Sequence, residues 1–441
     1  MPKRLLTPFQ KFIQLESFSG ILLCIATVIA LIWANSSYAS GYEYLLNLKI
    51  GFESDIFSLK KPLILWINDG FMAIFFFLIG LEIKRELLVG ELNTAKKAMF
   101  PLFGAIGGMS VPVILFFILN NNPDTSNAWG IPMATDIAFS LAILKALGNR
   151  VPLALKVFLT AFAIVDDIGA VLVIAIFYST NLQIDLLLYG LGLIAVLTFF
   201  CLKIRYSKFI IVFGGIVAWV LFLKGGIHPT LAGILMAFAV PMHRRIKGSG
   251  FIEKLELITK KITAKSNPKA ALLTNDQIKN INELEDLTDR YQSPLQRSEN
   301  RLHDWVAYFI IPTFALANAG VALSSDIPLN WTLAMNLAIC LVLGNSIGIS
   351  SIVLTAVKLK VVQVPEGITK RHIIGASFIA GVGFTMSIFI ATLAFVEFPQ
   401  YVDSAKVGIL IGSLLSGIIG ASILYFSGNR NVTKKVERYT S

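Results

Sequence analysis

Runs of about 20 apolar residues recur along nearly the whole chain, and this repetition constrains the fold more than any other feature. The runs cover residues 18–35, 62–83, 99–119, 131–147, 151–178, 182–202, 209–223, 228–242, 305–323, 331–357, 373–398 and 407–426. A soluble globule could not cover them with polar surface, because 55% of the residues are hydrophobic and only 15% are charged. The pattern predicts an all-α polytopic membrane protein with about twelve transmembrane helices.

Lys and Arg residues cluster in alternate loops between these runs. They follow the second, fourth, sixth, eighth, tenth and twelfth runs, whereas residues 120–130, 179–185 and 324–330 contain none. Because cytoplasmic loops of membrane proteins carry an excess of Lys and Arg, both termini are predicted to face the cytoplasm. The net charge of +11 therefore indicates orientation and not nucleic-acid binding. The loop with Lys49, Lys60 and Lys61 fits this rule least well, although nearby acidic residues offset its charge.

The first apolar run has a second interpretation. Lys3, Arg4 and Lys11 precede it, as basic residues precede the apolar core of a cleaved signal peptide, and residues 37–40 would be the cleavage site. The many runs that follow favour an uncleaved first helix.

Residues 247–302 interrupt the membrane pattern. They are charged and mixed in sign, and apolar residues at helical spacing from Ile278 to Tyr291 predict an amphipathic helix with Thr274 as its N-cap and Pro294 as its stop. We interpret this segment as a cytoplasmic insertion, a solvated helical hairpin packed on the membrane domain, with a partner-binding or regulatory module as the alternative. The predicted domains are 1–246 for spans one to eight, 247–302 for the insertion, 303–428 for spans nine to twelve and 429–441 for a basic cytoplasmic tail.

Few ionisable side chains lie inside the apolar runs, where each costs about 2.5–3.5 kcal/mol at the bilayer centre. The functional candidates are Asp69 early in the second run, Asp136 in the fourth, Asp166 and Asp167 in the fifth, and Glu82, Lys84, Arg85 and Glu86 at the inner end of the second. The adjacent pair Asp166 and Asp167 is the main candidate site, because residues 162–173 contain no basic residue that could neutralise it. A purely structural role is the weaker interpretation of two such charges.

Adjacent carboxylates in an apolar environment resist simultaneous ionisation, so the pair can bind a proton or a cation in competition. Hard cations such as sodium and lithium prefer carboxylate, hydroxyl and carbonyl oxygens, which this run supplies together with Thr135 and Asp136. No cofactor or transition metal is expected, since the three cysteines lie inside apolar runs without metal-binding spacing. The histidines lie at predicted span ends, where interfacial and proton-sensing roles both remain open: His228, His243, His303 and His372.

Two runs are predicted to be broken helices. Residues 130–136 and 381–387 each combine helix-breaking Gly or Pro with a hydroxyl, at Thr135 and Thr385, near the middle of a run. Paired discontinuous helices are typical of ion sites in transporters built from inverted repeats.

Two other functions fit some of these residues. An intramembrane aspartyl protease would use Asp136 and Asp166 as its dyad, but the sequence lacks a Gly-x-Gly-Asp element and the second aspartate of the pair would be unexplained. A cation-coupled symporter for an organic solute on a similar broken-helix scaffold is the stronger alternative, and it would need a second solute for sodium flux.

The chain resembles the NhaA family of bacterial sodium/proton antiporters, which are inner-membrane proteins, over nearly its whole length except the insertion. The matching runs include residues 68–70, 80–87, 134–139, 150–156, 165–169, 226–228, 317–321 and 383–389. The resemblance implies inverted repeats and an exchange of one cytoplasmic sodium or lithium ion for external protons, electrogenic and activated at alkaline pH. It implies no partner beyond these ions and the lipid bilayer, and it leaves a homodimer open.

The same resemblance assigns roles to individual residues. Asp166 and Asp167 would bind the ion and the protons, and Thr135 with Asp136 would support the crossing of the broken helices. A pH-responsive cytoplasmic entrance would comprise Glu82, Arg85, Glu86 and Glu299, with His228 at the outer face.

Two positions depart from the family pattern. Asn345 stands where the family usually has a lysine that pairs with the first aspartate, so the nearest fixed positive charge is missing and coupling stoichiometry is left open. Asn300 stands where relatives often have a histidine beside the acidic residue that corresponds to Glu299, which weakens the transferred assignment of a pH sensor.

Overall fold

The computed structural model describes residues 8–53, 59–179, 182–244, 246, 248–264, 274–322 and 329–437. The predicted orientation signals at Lys3, Arg4, Arg245, Lys247 and Arg438 lie outside these residues, as do parts of the Lys- and Arg-free loops 179–185 and 324–330.

Helices make up most of the described chain. The first group is α1 (Pro8–Ala34), α2 (Ala39–Asn47), α3 (Leu63–Leu88), α4 (Ala95–Leu119), α5 (Ile137–Ala146), α6 (Leu153–Phe177), α7 (Ile184–Ile204), α8 (Lys208–Gly225) and α9 (Thr230–Phe238). The second group is α10 (Gly248–Ala264), α11 (Asn275–Tyr291), α12 (Pro294–Trp305), α13 (Ile311–Asn318), α14 (Trp331–Lys358), α15 (Lys370–Ala380), α16 (Phe384–Ala394) and α17 (Val402–Glu437). A two-residue ribbon, β1 (Lys49–Ile50) with antiparallel β2 (Lys61–Pro62), follows α2.

The prediction of a polytopic all-helical membrane protein is confirmed. Seven helices among the described residues are long and apolar enough to cross a membrane, and three bent pairs raise the number to as many as ten. The other two predicted spans fall short because α9, between Pro229 and Pro241, has only nine residues, and because the eight-residue α13 follows the charged α12 through a π-helical turn. Prolines thus bound α9, whereas α13 is the apolar end of a longer continuous helix that includes α12.

Both predicted broken helices are broken. A 3₁₀ segment, Pro123–Met133, ends before α5 with a bend of 47°, and α15 bends by 42° into α16. The two breaks touch, because the backbone N–H of Asp136 donates to the Val382 carbonyl at 2.7 Å. A Cβ atom on Gly383 would come within 2.5 Å of the Ala134 carbonyl oxygen, so the crossing requires glycine there.

Helix α4 fixes the relative direction of its two neighbours. Gly348 of α14 packs on the Gly107 backbone and Gly344 on Pro112, so α14 runs antiparallel to α4. Such contacts require small residues at the helix interface. Phe162 of α6 packs on Gly104, and Gly169 packs further along on Met109, so α6 runs parallel to α4.

The predicted insertion contains the helical hairpin α10–α11. The Thr274 N-cap is confirmed, since Thr274 and Gln277 form a reciprocal capping box at the start of α11. Phe251 of α10 stacks on Tyr291 at the end of α11, with ring centroids 4.1 Å apart, and Arg244 donates to the Tyr291 hydroxyl at 3.2 Å. Pro294 begins α12 directly afterwards, and α12 runs across the predicted domain boundary at residue 303.

Candidate ion-binding site

The two aspartates of α6 lie in different environments because successive helical residues point about 100° apart. Asp166 is 1% exposed and its Oδ2 accepts a hydrogen bond of 3.0 Å from the Thr135 backbone N–H. Asp167 is 3% exposed and lines a small cavity instead. In the part of the chain that the structure describes, no group donates a hydrogen bond to the Asp167 carboxylate, which leaves both of its oxygens available to a ligand.

The cavity beside Asp167 has a volume of about 40 Å³. Its polar lining comes from five structural elements and comprises Glu82, Thr135, Asp136, Asp167, His303 and Thr385. Carboxylate, hydroxyl and imidazole groups thus converge in a space large enough for a small ion, and the remaining walls are apolar. The structure therefore brings Glu82, a residue of the predicted entrance, together with the predicted binding residues.

His303 is a cavity residue that the sequence identified only as a histidine at a predicted span end, not as part of the ion site. It is 7% exposed and lies four residues after Glu299 on α12, so both side chains occupy one face of that helix. The i, i+4 spacing from a predicted entrance residue was the available signal.

Asp136 holds the crossing of the broken helices together. Its Oδ1 accepts from the Phe139 N–H at 3.1 Å, and its Oδ2 accepts from the Thr385 N–H at 3.0 Å and the Thr385 hydroxyl at 2.6 Å. One carboxylate therefore caps the N-termini of both α5 and α16 and offsets their dipoles. No hydrogen bond joins Asp136 to Asp166 among the described residues, so the dyad of an aspartyl protease is not formed.

Thr135 connects the opposite helix ends. Its hydroxyl donates to the Ala380 carbonyl at 2.8 Å, at the end of α15, while its backbone N–H binds Asp166. A hydroxyl that donates its proton keeps its oxygen lone pairs, so Thr135 can still supply an oxygen to a cation in the cavity.

Asn345 is fully buried and also holds this crossing. Its Nδ2 donates to the Pro132 carbonyl at 2.9 Å, at the end of the 3₁₀ segment, where a helix leaves its last carbonyls without partners. In the described ranges no ion pair joins Asp166 to a Lys or Arg. The group at the position where the resemblance implies a lysine is thus a buried neutral amide.

The residues of the predicted entrance form a cluster at the end of α3. Arg85 lies 3.2 Å from Glu86 and 3.3 Å from Glu299 of α12, measured between side-chain N and O atoms. Burial raises the pKa of the Glu299 carboxyl, the charge of Arg85 opposes this rise and that of Glu86 adds to it. Glu82 lies one turn deeper and faces the cavity.

His228 and Asp69 lie near the other end of α3, away from the cavity lining. Asp69 Oδ2 is 2.9 Å from the Lys61 ammonium nitrogen, and its Oδ1 is 3.7 Å from His228 Nε2. The structure therefore separates His228 from the Arg85 cluster by most of the length of α3.

A polytopic helical protein with buried carboxylates at the crossing of two broken helices has the architecture of an ion-coupled secondary transporter. A family model described as "Na+/H+ antiporter 1" matches residues 10–424. The chain belongs to this sodium/proton antiporter family, and the resemblance to NhaA proteins is confirmed.

Several proteins named Na(+)/H(+) antiporter NhaA are similar to the chain over nearly its full length. The Oleidesulfovibrio alaskensis protein is 44% identical over 428 residues, which covers 96% of this chain and 94% of that protein. A Helicobacter pylori protein is 44% identical over 430 residues and 97% of each chain. The Saccharophagus degradans antiporter NhaA 1 is 41% identical over 421 residues, or 95% of this chain and 91% of that protein.

Proposed function

We propose that this protein exchanges cytoplasmic sodium or lithium ions for external protons by alternating access across the bacterial inner membrane. The observation that carries the proposal is the Asp167 carboxylate, buried without a hydrogen-bond donor in a cavity walled by both broken helices. Family membership and the names of the relatives support the same exchange.

The exchange follows from competition at the two aspartates of α6. Two neighbouring carboxylates in a site of low polarity cannot both stay charged unless a cation is bound, so sodium binding displaces protons and protonation displaces sodium. Asp167 would hold the ion together with the Thr135 hydroxyl, and Asp166 would take part through its Oδ1. Asp136 would remain the support of the crossing, because its two oxygens already accept three hydrogen bonds.

Aromatic packing supports alternating access. Phe389 of α16 is fully buried, and its ring centroid lies 5.8 Å from that of Phe76, 6.2 Å from Phe314 and 5.1 Å from His228. Phe76 lies on α3 between Asp69 and Glu82, so this aromatic cluster packs against α3 between its Asp69 end and the cavity. An ion that leaves toward that end must displace this packing, which is what a change of the accessible side requires.

Sodium-dependent collapse of a proton gradient in everted membrane vesicles tests the proposal. We expect the wild type to exchange ions without any added organic solute, and Asp167→Asn to reduce exchange to the level of vesicles that lack the protein. Asp124→Asn is the matched control, since Asp124 is an exposed aspartate in the segment before the break and its exchange should equal that of the wild type.

Two outcomes would contradict this proposal. Normal exchange by Asp167→Asn would remove that residue from the site. A strict requirement for a second solute would instead establish a symporter on the same scaffold.

A further inference from the structure

Two buried oxygen atoms near the broken helices have no hydrogen-bond partner. Among the side-chain carboxylate and amide oxygens of the described residues that have almost no exposed surface of their own, only Asp166 Oδ1 and Asn345 Oδ1 lack one, whereas the Asp167 oxygens face the cavity. Asp166 is 1% exposed and Asn345 is not exposed at all, so bulk water does not compensate either atom. Buried acceptors without partners are rare, and a bound cation is one ligand that can satisfy them.

The same short segment holds both side chains. The Thr135 N–H binds Oδ2 of Asp166, and the Pro132 carbonyl binds the amide Nδ2 of Asn345. Each hydrogen bond engages only one of the two terminal atoms of the side chain, Oδ2 in Asp166 and Nδ2 in Asn345. The Oδ1 atom of each residue is left without a partner. Because Pro132 and Thr135 are three residues apart in the break, they anchor the two side chains to one local structure.

Helix packing places the two residues at the same depth. A Cβ atom on Gly108 would lie 3.3 Å from both Phe162 of α6 and Ile349 of α14, so these two side chains meet at that level. Asp166 follows Phe162 by one turn, and Asn345 precedes Ile349 by one turn. Since α6 runs parallel and α14 antiparallel to α4, both turns lead in the same direction, toward the Pro112 end of α4.

We propose that Asn345 Oδ1 and Asp166 Oδ1 ligate the transported cation together, which makes Asn345 a specificity-determining residue. This inference rests on the proposed exchange function. An amide oxygen and a carboxylate oxygen are ligands that sodium and lithium prefer. The bond from Nδ2 to Pro132 fixes the orientation of the amide, so its oxygen is pre-organised for the ion and no positive charge competes with the ion there.

Three substitutions of Asn345 distinguish a cation ligand from a residue that only supports the Pro132 carbonyl by a hydrogen bond. Asn345→Asp keeps an oxygen but loses the donor to Pro132, Asn345→Lys keeps a donor but loses the oxygen, and Asn345→Leu loses both. The readout is the apparent KM for sodium and for lithium in proteoliposomes at one alkaline pH, with each variant confirmed as monodisperse after purification.

A cation ligand predicts that KM for sodium rises about tenfold or more in the Lys and Leu variants, because even the residues that hydrogen-bond to metal ligands contribute about 10- to 100-fold to affinity. The Asp variant should retain transport and change the ratio of the sodium and lithium KM values. In the opposite pattern, the Lys variant has wild-type KM values and the Asp variant loses transport. That result would show that Asn345 only supports the Pro132 carbonyl, and it would overturn the inference. Unchanged KM values in Asn345→Leu, or loss of transport in all three variants, would overturn it as well.

Failure of this inference is distinguishable from failure of the exchange function. If the wild type exchanges ions and Asp167→Asn does not, the function stands whatever the Asn345 variants do. If the wild type itself does not exchange ions, the function fails first.

Discussion

The buried carboxylates differ in the number of hydrogen bonds that they accept, and this difference indicates different roles. Asp136 accepts three hydrogen bonds and caps two helices, Asp166 accepts one, and Asp167 accepts none among the described residues. A carboxylate with many donors is stabilised in its charged form in every state, whereas one without donors gains most from a bound ion or proton. The hydrogen bonds therefore favour Asp167 as the exchanging group and Asp136 as the fixed one.

At Glu299 the raised pKa makes a prediction about stability. The pKa of this carboxyl is above its ordinary value of 4.5 in the folded protein. At pH values between the pKa of the unfolded chain and that of the folded protein, the folded protein therefore binds more protons. The contribution of Glu299 to stability therefore falls as pH rises through that window. Glu299→Gln removes this pH dependence. The difference in apparent melting temperature between the variant and the wild type, measured in detergent, should therefore increase from pH 4 toward neutral pH.

Glu285→Gln is the control, because Glu285 is an exposed glutamate on α11. Its difference from the wild type should not depend on pH. A pH-independent difference for Glu299→Gln would show that the Arg85 contact compensates the burial of Glu299 completely.

Helices cross closely in this protein at glycine residues, which have no side chain. The breaks approach so closely that Gly383 faces the Ala134 carbonyl, and α4 meets α14 at the backbones of Gly107 and Gly348. Near these contacts, the side chains of Thr135, Asp136 and Asn345 form hydrogen bonds with backbone groups at the helix ends that lack helical partners. Small residues and capping groups thus act on the same elements, because broken helices expose backbone groups that lipid cannot satisfy.

Gly383→Ala should impair transport strongly. Its Cβ atom would lie 2.5 Å from the Ala134 carbonyl oxygen, so the crossing must shift, at a cost of about 1–3 kcal/mol for overpacking. Proton-gradient collapse in vesicles and the melting temperature in detergent measure the two effects. Gly192→Ala is the control, since an added Cβ on that exposed residue of α7 would meet nothing within 4 Å. Equal behaviour of both variants would mean that the crossing does not need its glycine.

Charge distribution predicts the orientation of the whole molecule in the membrane. The Arg85 cluster, the α10–α11 hairpin and most basic loops belong to the side that the positive-inside rule assigns to the cytoplasm. The Lys61, Asp69 and His228 group belongs to the other side. Because the cavity contains Glu82, one turn from the Arg85 cluster, the site is closer to the proposed cytoplasmic side in this conformation.

Fusions to alkaline phosphatase, which is active only outside the cytoplasm, test this orientation. A fusion after Asn122 should be active and a fusion after Arg205 inactive, because the basic residues near Arg205 favour the cytoplasmic side. Green fluorescent protein at the same two positions should give the reverse pattern. Activity of both phosphatase fusions would contradict the proposed topology.

The sequence by itself determined the membrane class, the positions of both breaks, the Thr274 cap and the buried aspartates of α6. Those features depend on hydropathy, on Gly and Pro, and on local spacing, all of which are readable within about 20 residues.

Only the tertiary structure decided which oxygen atoms of the site have partners. Asp136 is paired with Thr385, 249 positions away, and Asn345 with Pro132, 213 positions away, so no local pattern contains either bond. His303 entered the cavity for the same reason, since α12 packs there through contacts with distant helices. Whether a buried polar group is a support or a ligand depends on which donors the fold brings to it, and that is a property of the packed molecule.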